Sequence, residues 1–206
     1  MSSVADTGRL AAVVLAGGEG RRMGGQDKGL LLWQGQPLVD AVLARIRAQE
    51  AIRFSALALS ANRHLDVYAT RGLPVLPDAP AHVGCGPLAG LREALRFAQA
   101  QGCEAVWVLP CDAPRMPLDL ARRLRAALGP GASAAVPVLE GEAGEPRWQP
   151  AHALLTVDTL AALDAALAQG ERRVMGWLRS LDPVAVPYPP TAAPAFANLN
   201  RPEDLI

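Results

Sequence analysis

The chain has 206 residues, half of them hydrophobic and 19% charged, and its 20 basic and 20 acidic side chains leave no formal net charge. That composition excludes a disordered chain and any broad basic field for nucleic acid or an anionic membrane, so an anion site must be a local cluster. One domain fits this length, no apolar run approaches the roughly 18 residues that span a bilayer, and the stretch before Arg9 lacks the apolar core of a signal peptide.

The first element is a buried strand over Ala11–Leu15. The loop that follows, through Gly29, holds six glycines, Arg21, Arg22 and Lys28. Glycines let backbone N–H groups approach phosphate oxygens closely, and the cations supply countercharge. The loop is neither of the two commonest phosphate motifs. Gly20 and Gly25 have Walker A spacing, but Gln26 stands where its lysine belongs; Gly18 and Gly20 begin a dinucleotide fingerprint, but Met23 takes the third glycine position.

Further strands are predicted over Phe54–Ser60, Pro74–Leu76, Ala105–Leu109 and Ala134–Leu139. Helices are predicted over Pro37–Gln49, Pro87–Gln101 and Pro117–Leu128, where apolar residues recur at three- and four-residue spacing. Each of these ranges opens at a proline, a residue suited to a first turn. Glu140–Arg147 reads as an exposed loop, Trp148–Leu155 as a strand, Thr156–Gln169 as a helix and Pro187–Pro194 as an extended connector. The alternation predicts an α/β single domain, a Rossmann-like three-layer α/β/α arrangement with a mainly parallel sheet. In such a sheet ligands bind beyond the carboxyl ends of the strands.

Several residues fall at such ends. Asp112, in Pro110-Cys111-Asp112-Ala113-Pro114, follows the fourth strand, where one carboxylate could hold Mg²⁺ against phosphates or simply cap a turn. Asn62 and Asp78 follow the second and third strands and are also ordinary turn residues. Gly84–Gly90 opens a helix whose free N–H groups favour an anion or a polar base edge. Arg172 and Arg173 form a charge pair, read as a solvated helix face or as cations for a phosphate. Asn200 with Glu203 reads as a helix cap with its capping-box partner, leaving Asn198 to point elsewhere. His64, His82 and His152 form no metal pattern, and no nucleophile elbow is present. Cys85, Cys103 and Cys111 lack zinc or disulfide spacing and read as reduced thiols of a cytosolic protein.

The loop Leu15-Ala16-Gly17-Gly18 through Arg21-Arg22-Met23-Gly24-Gly25-Gln26-Asp27-Lys28 resembles the signature of α/β nucleotidyltransferases, L-A-G-G-x-x-x-R-M-G-x-D-K. In this form it is similar to the molybdenum cofactor guanylyltransferases. Matches to that family's G-P-L-A-G (86–90), P-C-D-x-P (110–114), G-E-R-R-V (170–174) and N-x-N-T-P-E (198–203) follow in order, with Arg201 in place of the usual threonine. The resemblance implies transfer of GMP from GTP to the phosphate of molybdopterin, with Mg²⁺. It implies GTP contacts from Leu15, Ala16, Gly17, Gly18, Arg22, Lys28, Asn62, Asp78, Gly86 and Asp112. Of these, it implies Arg22, Lys28 and Asp112 as catalytic and Asp112 as the metal ligand. Arg172, Arg173, Asn198 and Asn200 are implied for the pterin substrate. Residues from about 8 to 115 would form the GTP half of the domain, and those from about 116 to 206 the pterin half. The partners implied are GTP, molybdopterin and the molybdoenzymes or chaperones that receive the product, in the cytoplasm. A cytidylyl or sugar-phosphate nucleotidylyltransferase on the same fold, and a non-catalytic nucleotide-binding adaptor, remain the alternatives.

Overall fold

The structure, a computed structural model, describes residues 9–16, 26–141 and 145–205. Gly17, Gly18 and Arg22 of the expected phosphate loop lie outside the described residues, as do 142–144 of the expected 140–147 loop.

Among the described residues eight strands make one sheet. They are β1 (Leu10–Leu15), β4 (Ala56–Ser60), β5 (Val75–Leu76), β6 (Ala105–Pro110), β7 (Ala134–Leu139), β8 (Arg147–Trp148), β9 (Leu154–Thr156) and β10 (Val184–Tyr188). The order is β10-β7-β9-β6-β1-β4-β5, with β8 paired to β7. Strands β1, β4, β5 and β6 run parallel, as do β7 and β10, whereas β9 is antiparallel to both β6 and β7.

Both faces of the sheet are covered. Alternation along β1 sends Leu10, Ala12 and Val14 to one face and Ala11 and Val13 to the other. The first face meets α1 (Leu38–Arg47) through Val39, Val42 and Ile46, and α4 (Leu120–Ala127) through Leu120 and Leu124. The short helix α2 (Leu65–Ala69) adds Tyr68 there. The opposite face meets α3 (Pro87–Ala100) through Leu88, Leu91 and Leu95, α5 (Leu160–Ala168) through Leu163 and Leu167, and α6 (Val174–Arg179) through Trp177 and Leu178. Each fully buried aliphatic side chain of this kind contributes about 1.5–3 kcal/mol. The three-layer, mainly parallel expectation therefore holds. Among the described residues no helix is long and apolar enough to cross a membrane.

Three local readings need correction. Trp148–Leu155 is not one strand: a 3₁₀ turn over Pro150–His152 separates β8 from β9, because Pro150 has no N–H to donate to a ladder. Pro187–Pro194 is not an extended connector. Pro187 lies within β10, at the sheet edge where a missing donor is tolerated, and Pro190–Phe196 is a 3₁₀ helix. Glu171, Arg172 and Arg173 are not on a helix; they precede α6. A small hairpin, β2 (Leu32–Trp33) with β3 (Gln36–Pro37), turns at Gln34 and Gly35, both with positive φ as a tight two-residue turn requires.

Candidate active site

The chain passes from β1 to β4 on one side and later returns β6 to the other side of β1. That reversal opens a crevice at the strands' carboxyl ends. At its floor the Ala16 N–H donates to the Ser60 carbonyl at 2.7 Å and the Cys111 N–H to the Leu15 carbonyl at 3.1 Å. Leu15, Ala16 and Asp112 are thereby drawn together from strands far apart in sequence.

Lys28 is the hub. Its ammonium forms an ion pair with Asp112 Oδ2 and donates to Asn200 Oδ1 at 2.5 Å. The Leu199 N–H donates to the Asp112 carbonyl at 2.9 Å, which lays the 198–200 segment against the crevice. Leu199 itself is buried beside Trp33, Leu38 and Ala41. The side chain of Asp112 is only 9% exposed, and its Oδ1 has no hydrogen-bond partner among the described residues. A buried carboxylate oxygen left without a partner is costly unless a ligand supplies one. A single carboxylate with an oxygen left open is a donor that a hard divalent cation accepts, so Asp112 fits such an ion.

Asn200 does not cap a helix with Glu203. Its side chain is turned to Lys28, and the backbone N–H groups of Asn200 and Arg201 are taken by Asp204 Oδ2 at 2.8 and 2.9 Å. Those two donations hold the Asp204 carboxyl below the usual range. The capping logic was sound, but the acceptor is one residue further along.

Asn62 and Asp78 are brought together as a pair. The Asn62 amide donates to Asp78 Oδ2 at 2.8 Å and accepts the Asp78 N–H at 2.8 Å. Burial pushes the Asp78 carboxyl up, against the opposing donation from Asn62. Gly86, with φ +71°, caps the first turn of α3. One turn on, a Cβ at Gly90 would stand 2.9 Å from Ser60 Oγ, so only glycine lets α3 lie this close to the end of β4. A Cβ at Gly86 would stand 3.8 Å from the Arg172 carbonyl, which places the 170–174 segment beside the start of α3.

The two arginines of that segment differ. The Arg172 guanidinium turns back to the carbonyls of Leu167 and Glu171 at 3.2 and 2.7 Å, whereas Arg173 is 88% exposed. Glu171 accepts both of their backbone N–H groups, which lowers its carboxyl pKa. Asn198 is exposed one residue before Leu199.

Sequence reasoning missed the residues beneath Lys28, namely Asp27 and Tyr68, and also Arg115, whose guanidinium lies 5.6 Å from the Trp33 ring. Asp27 was visible inside the D-K pair of the loop; Tyr68, a lone aromatic in a two-turn segment, gave no signal. His152 is wholly buried, and neither ring nitrogen has a partner among the described residues. Burial pushes its pKa down to about 4, and it meets the Phe196 ring edge-on at 5.5 Å.

Residues 12–184 match the model of the MobA-like NTP transferase domain. A molybdenum cofactor guanylyltransferase of Cereibacter sphaeroides is 44% identical over 96% of this chain and 94% of its own length. Another, of Mannheimia succiniciproducens, is 37% identical over 95% and 96%. The crystal structure of molybdopterin-guanine dinucleotide biosynthesis protein A from Archaeoglobus fulgidus shares the fold, with a TM-score of 0.69 at 24% identity over 95% of this chain and 94% of that one. With a family model covering most of its length and relatives of this identity aligned from end to end, the chain belongs to the MobA-like NTP transferases, among the molybdenum cofactor guanylyltransferases.

Proposed function

We propose that this guanylyltransferase transfers GMP from GTP to the phosphate of molybdopterin at the crevice where Lys28, Asp112 and Asn200 meet, releasing pyrophosphate. The observation that carries this reading is the Lys28 hub, which joins three segments remote in sequence at the carboxyl ends of β1 and β6.

The chemistry asks little of acids and bases. A phosphate monoester has a second pKa of about 6, so at neutral pH it is largely a dianion and already a nucleophile. One of its oxygens attacks the α-phosphorus of GTP; the bond from that phosphorus to the bridging oxygen breaks, and pyrophosphate leaves with the electron pair. The obstacle is the approach of a dianion to a triphosphate, so the protein must neutralise and align. Lys28 supplies a positive charge at the crevice; Arg22, Gly17 and Gly18, which lie outside the described residues, are proposed phosphate contacts on the family signature alone. Asp112 would hold Mg²⁺ through its unpartnered Oδ1. When bound, that ion would supply Lewis-acid neutralisation of phosphate oxygens. The Asn62–Asp78 pair, with Leu15, Ala16 and Gly86, would bind the nucleoside, a carboxylate oxygen matching the donor edge of guanine. Arg173, Arg172, Asn198 and Asn200 would face the pterin. In this arrangement residues from about 8 to 115 contribute the GTP half and those from about 116 to 206 the pterin half, with Lys28 and Asn200 meeting across the divide. The three free cysteines accord with a reducing cytoplasm, where the product would pass to molybdoenzymes or their chaperones.

The test is pyrophosphate release from GTP, CTP, ATP and UTP, each with molybdopterin and Mg²⁺, against controls lacking either. Release from GTP alone, dependent on both, is expected. Asp112→Ala should lower it by a factor on the order of 10²–10³ or more without loss of fold. Turnover retained in Asp112→Ala refutes the metal assignment, and release from CTP moves the specificity to cytidylyl transfer.

A further inference from the structure

Beneath Lys28 lies a buried set of side chains with no part in the chemistry just described. Asp27 is buried and caps the short 3₁₀ helix Lys28–Leu30. Its Oδ1 accepts the Gly29 N–H at 3.2 Å and the Tyr68 hydroxyl at 2.6 Å. Tyr68 has no exposed surface, and burial together with the Asp27 carboxylate pushes its phenol pKa up, so it remains a donor at every physiological pH. Its ring lies 5.6 Å from the Arg71 guanidinium, which forks onto both carboxylate oxygens of Asp40 in α1 at 2.6 and 2.9 Å. Gly29 closes the set, because a Cβ there would overlap the Tyr68 hydroxyl. The backbone on both sides of Lys28 is thus tied to α2, and through Arg71 to α1, by groups that never reach the crevice.

We propose that Tyr68 is a positioning residue for nucleotidyl transfer: through Asp27 it fixes the backbone at Lys28 so that the ammonium is held over Asp112. The proposal rests on the reading of Lys28 as the cation that neutralises phosphate. A lysine is a point charge on a flexible four-carbon stem, so the precision of its charge depends on how firmly its backbone is held. The Asp27 carboxylate does the holding, and the tyrosine hydroxyl fixes the carboxylate.

Four proteins test this: wild type, Tyr68→Phe, Lys28→Met and the double variant. GTP affinity is measured by calorimetry with Mg²⁺, which needs no turnover, alongside pyrophosphate release and thermal midpoint. Tyr68→Phe is expected to weaken GTP binding and to lower kcat/KM, each by about tenfold, the scale of one lost hydrogen bond to a charged group. In the Lys28→Met background the same change should alter GTP affinity by less than about twofold, because residues acting through one another are not additive. Equal factors in the two backgrounds would show a general structural role and overturn the proposal, as would a Tyr68→Phe protein that binds GTP like wild type. Lys28→Met with wild-type affinity and turnover would instead overturn the reading of Lys28, and the proposal with it.

Discussion

His152 offers the sharpest thermodynamic test of the packing behind the site. Its imidazole is enclosed, unpartnered among the described residues, and held neutral by burial, with a pKa of about 4 against a usual 6.5. Between those two values the unfolded chain binds a proton at this residue and the native chain does not. Stability from this group is therefore complete above pH 6.5 and erodes as the pH falls towards 4. A gap of about 2.5 pH units corresponds to about 3 kcal/mol, at 1.36 kcal/mol per unit. His152→Leu keeps an apolar body against Phe196 and removes both orphaned nitrogens, so it should be at least as stable as wild type at pH 7. Urea unfolding of both proteins at intervals from pH 7 to pH 4 measures the difference. The wild type should lose about 3 kcal/mol more than the variant over that range. Parallel losses in the two proteins would show that His152 gains a proton or a partner in the native state, and would refute the argument.

Two further substitutions probe the elements that hold the site. Gly29→Ala should lower the thermal midpoint by several degrees, the effect of about 1–3 kcal/mol of overpacking against the Tyr68 hydroxyl. Combined with Tyr68→Phe, which removes that oxygen, the alanine should cost little; an undiminished loss in the double variant would disprove the contact. Leu199→Ala should cost about 2–3 kcal/mol by opening a cavity beside Trp33 and Leu38. It should also lower pyrophosphate release about tenfold by loosening Asn200 from Lys28. Unchanged turnover in a destabilised Leu199→Ala protein would separate the packing from the chemistry.

Much of this architecture was legible in the sequence because it is periodic. The apolar runs of β1, β4, β6 and β7 and the three- and four-residue spacing in α1, α3 and α4 are local signals, and they led to the three-layer sheet and to Asp112 at a strand end. Less was legible where a residue's role depends on what lies across the fold. The capping reading of Asn200 followed a sound local rule, yet Lys28, 172 residues away, takes its side chain. Pro187 suggested a connector because proline lacks a donor, but at the outer edge of the sheet that lack carries no penalty. The hairpin at Gln34-Gly35 escaped notice because its strands are two residues each, too short for alternation to show. Tyr68 could not be placed from its neighbours in sequence, because its meaning comes from Asp27 and Gly29 across a helix boundary.

The same reach of the 198–200 segment orders events during folding. Among the described residues every strand of the sheet precedes residue 189, so the strands can pair and the layered core can form before Asn198, Leu199 and Asn200 dock against it. Until those residues dock, Lys28 and Asp112 lack their third partner, and Trp33 and Leu38 lack their cover. Contacts of such sequence separation form late. The protein can therefore acquire its shape before its chemistry, and competence to bind and activate a nucleotide arrives when the 198–200 segment docks.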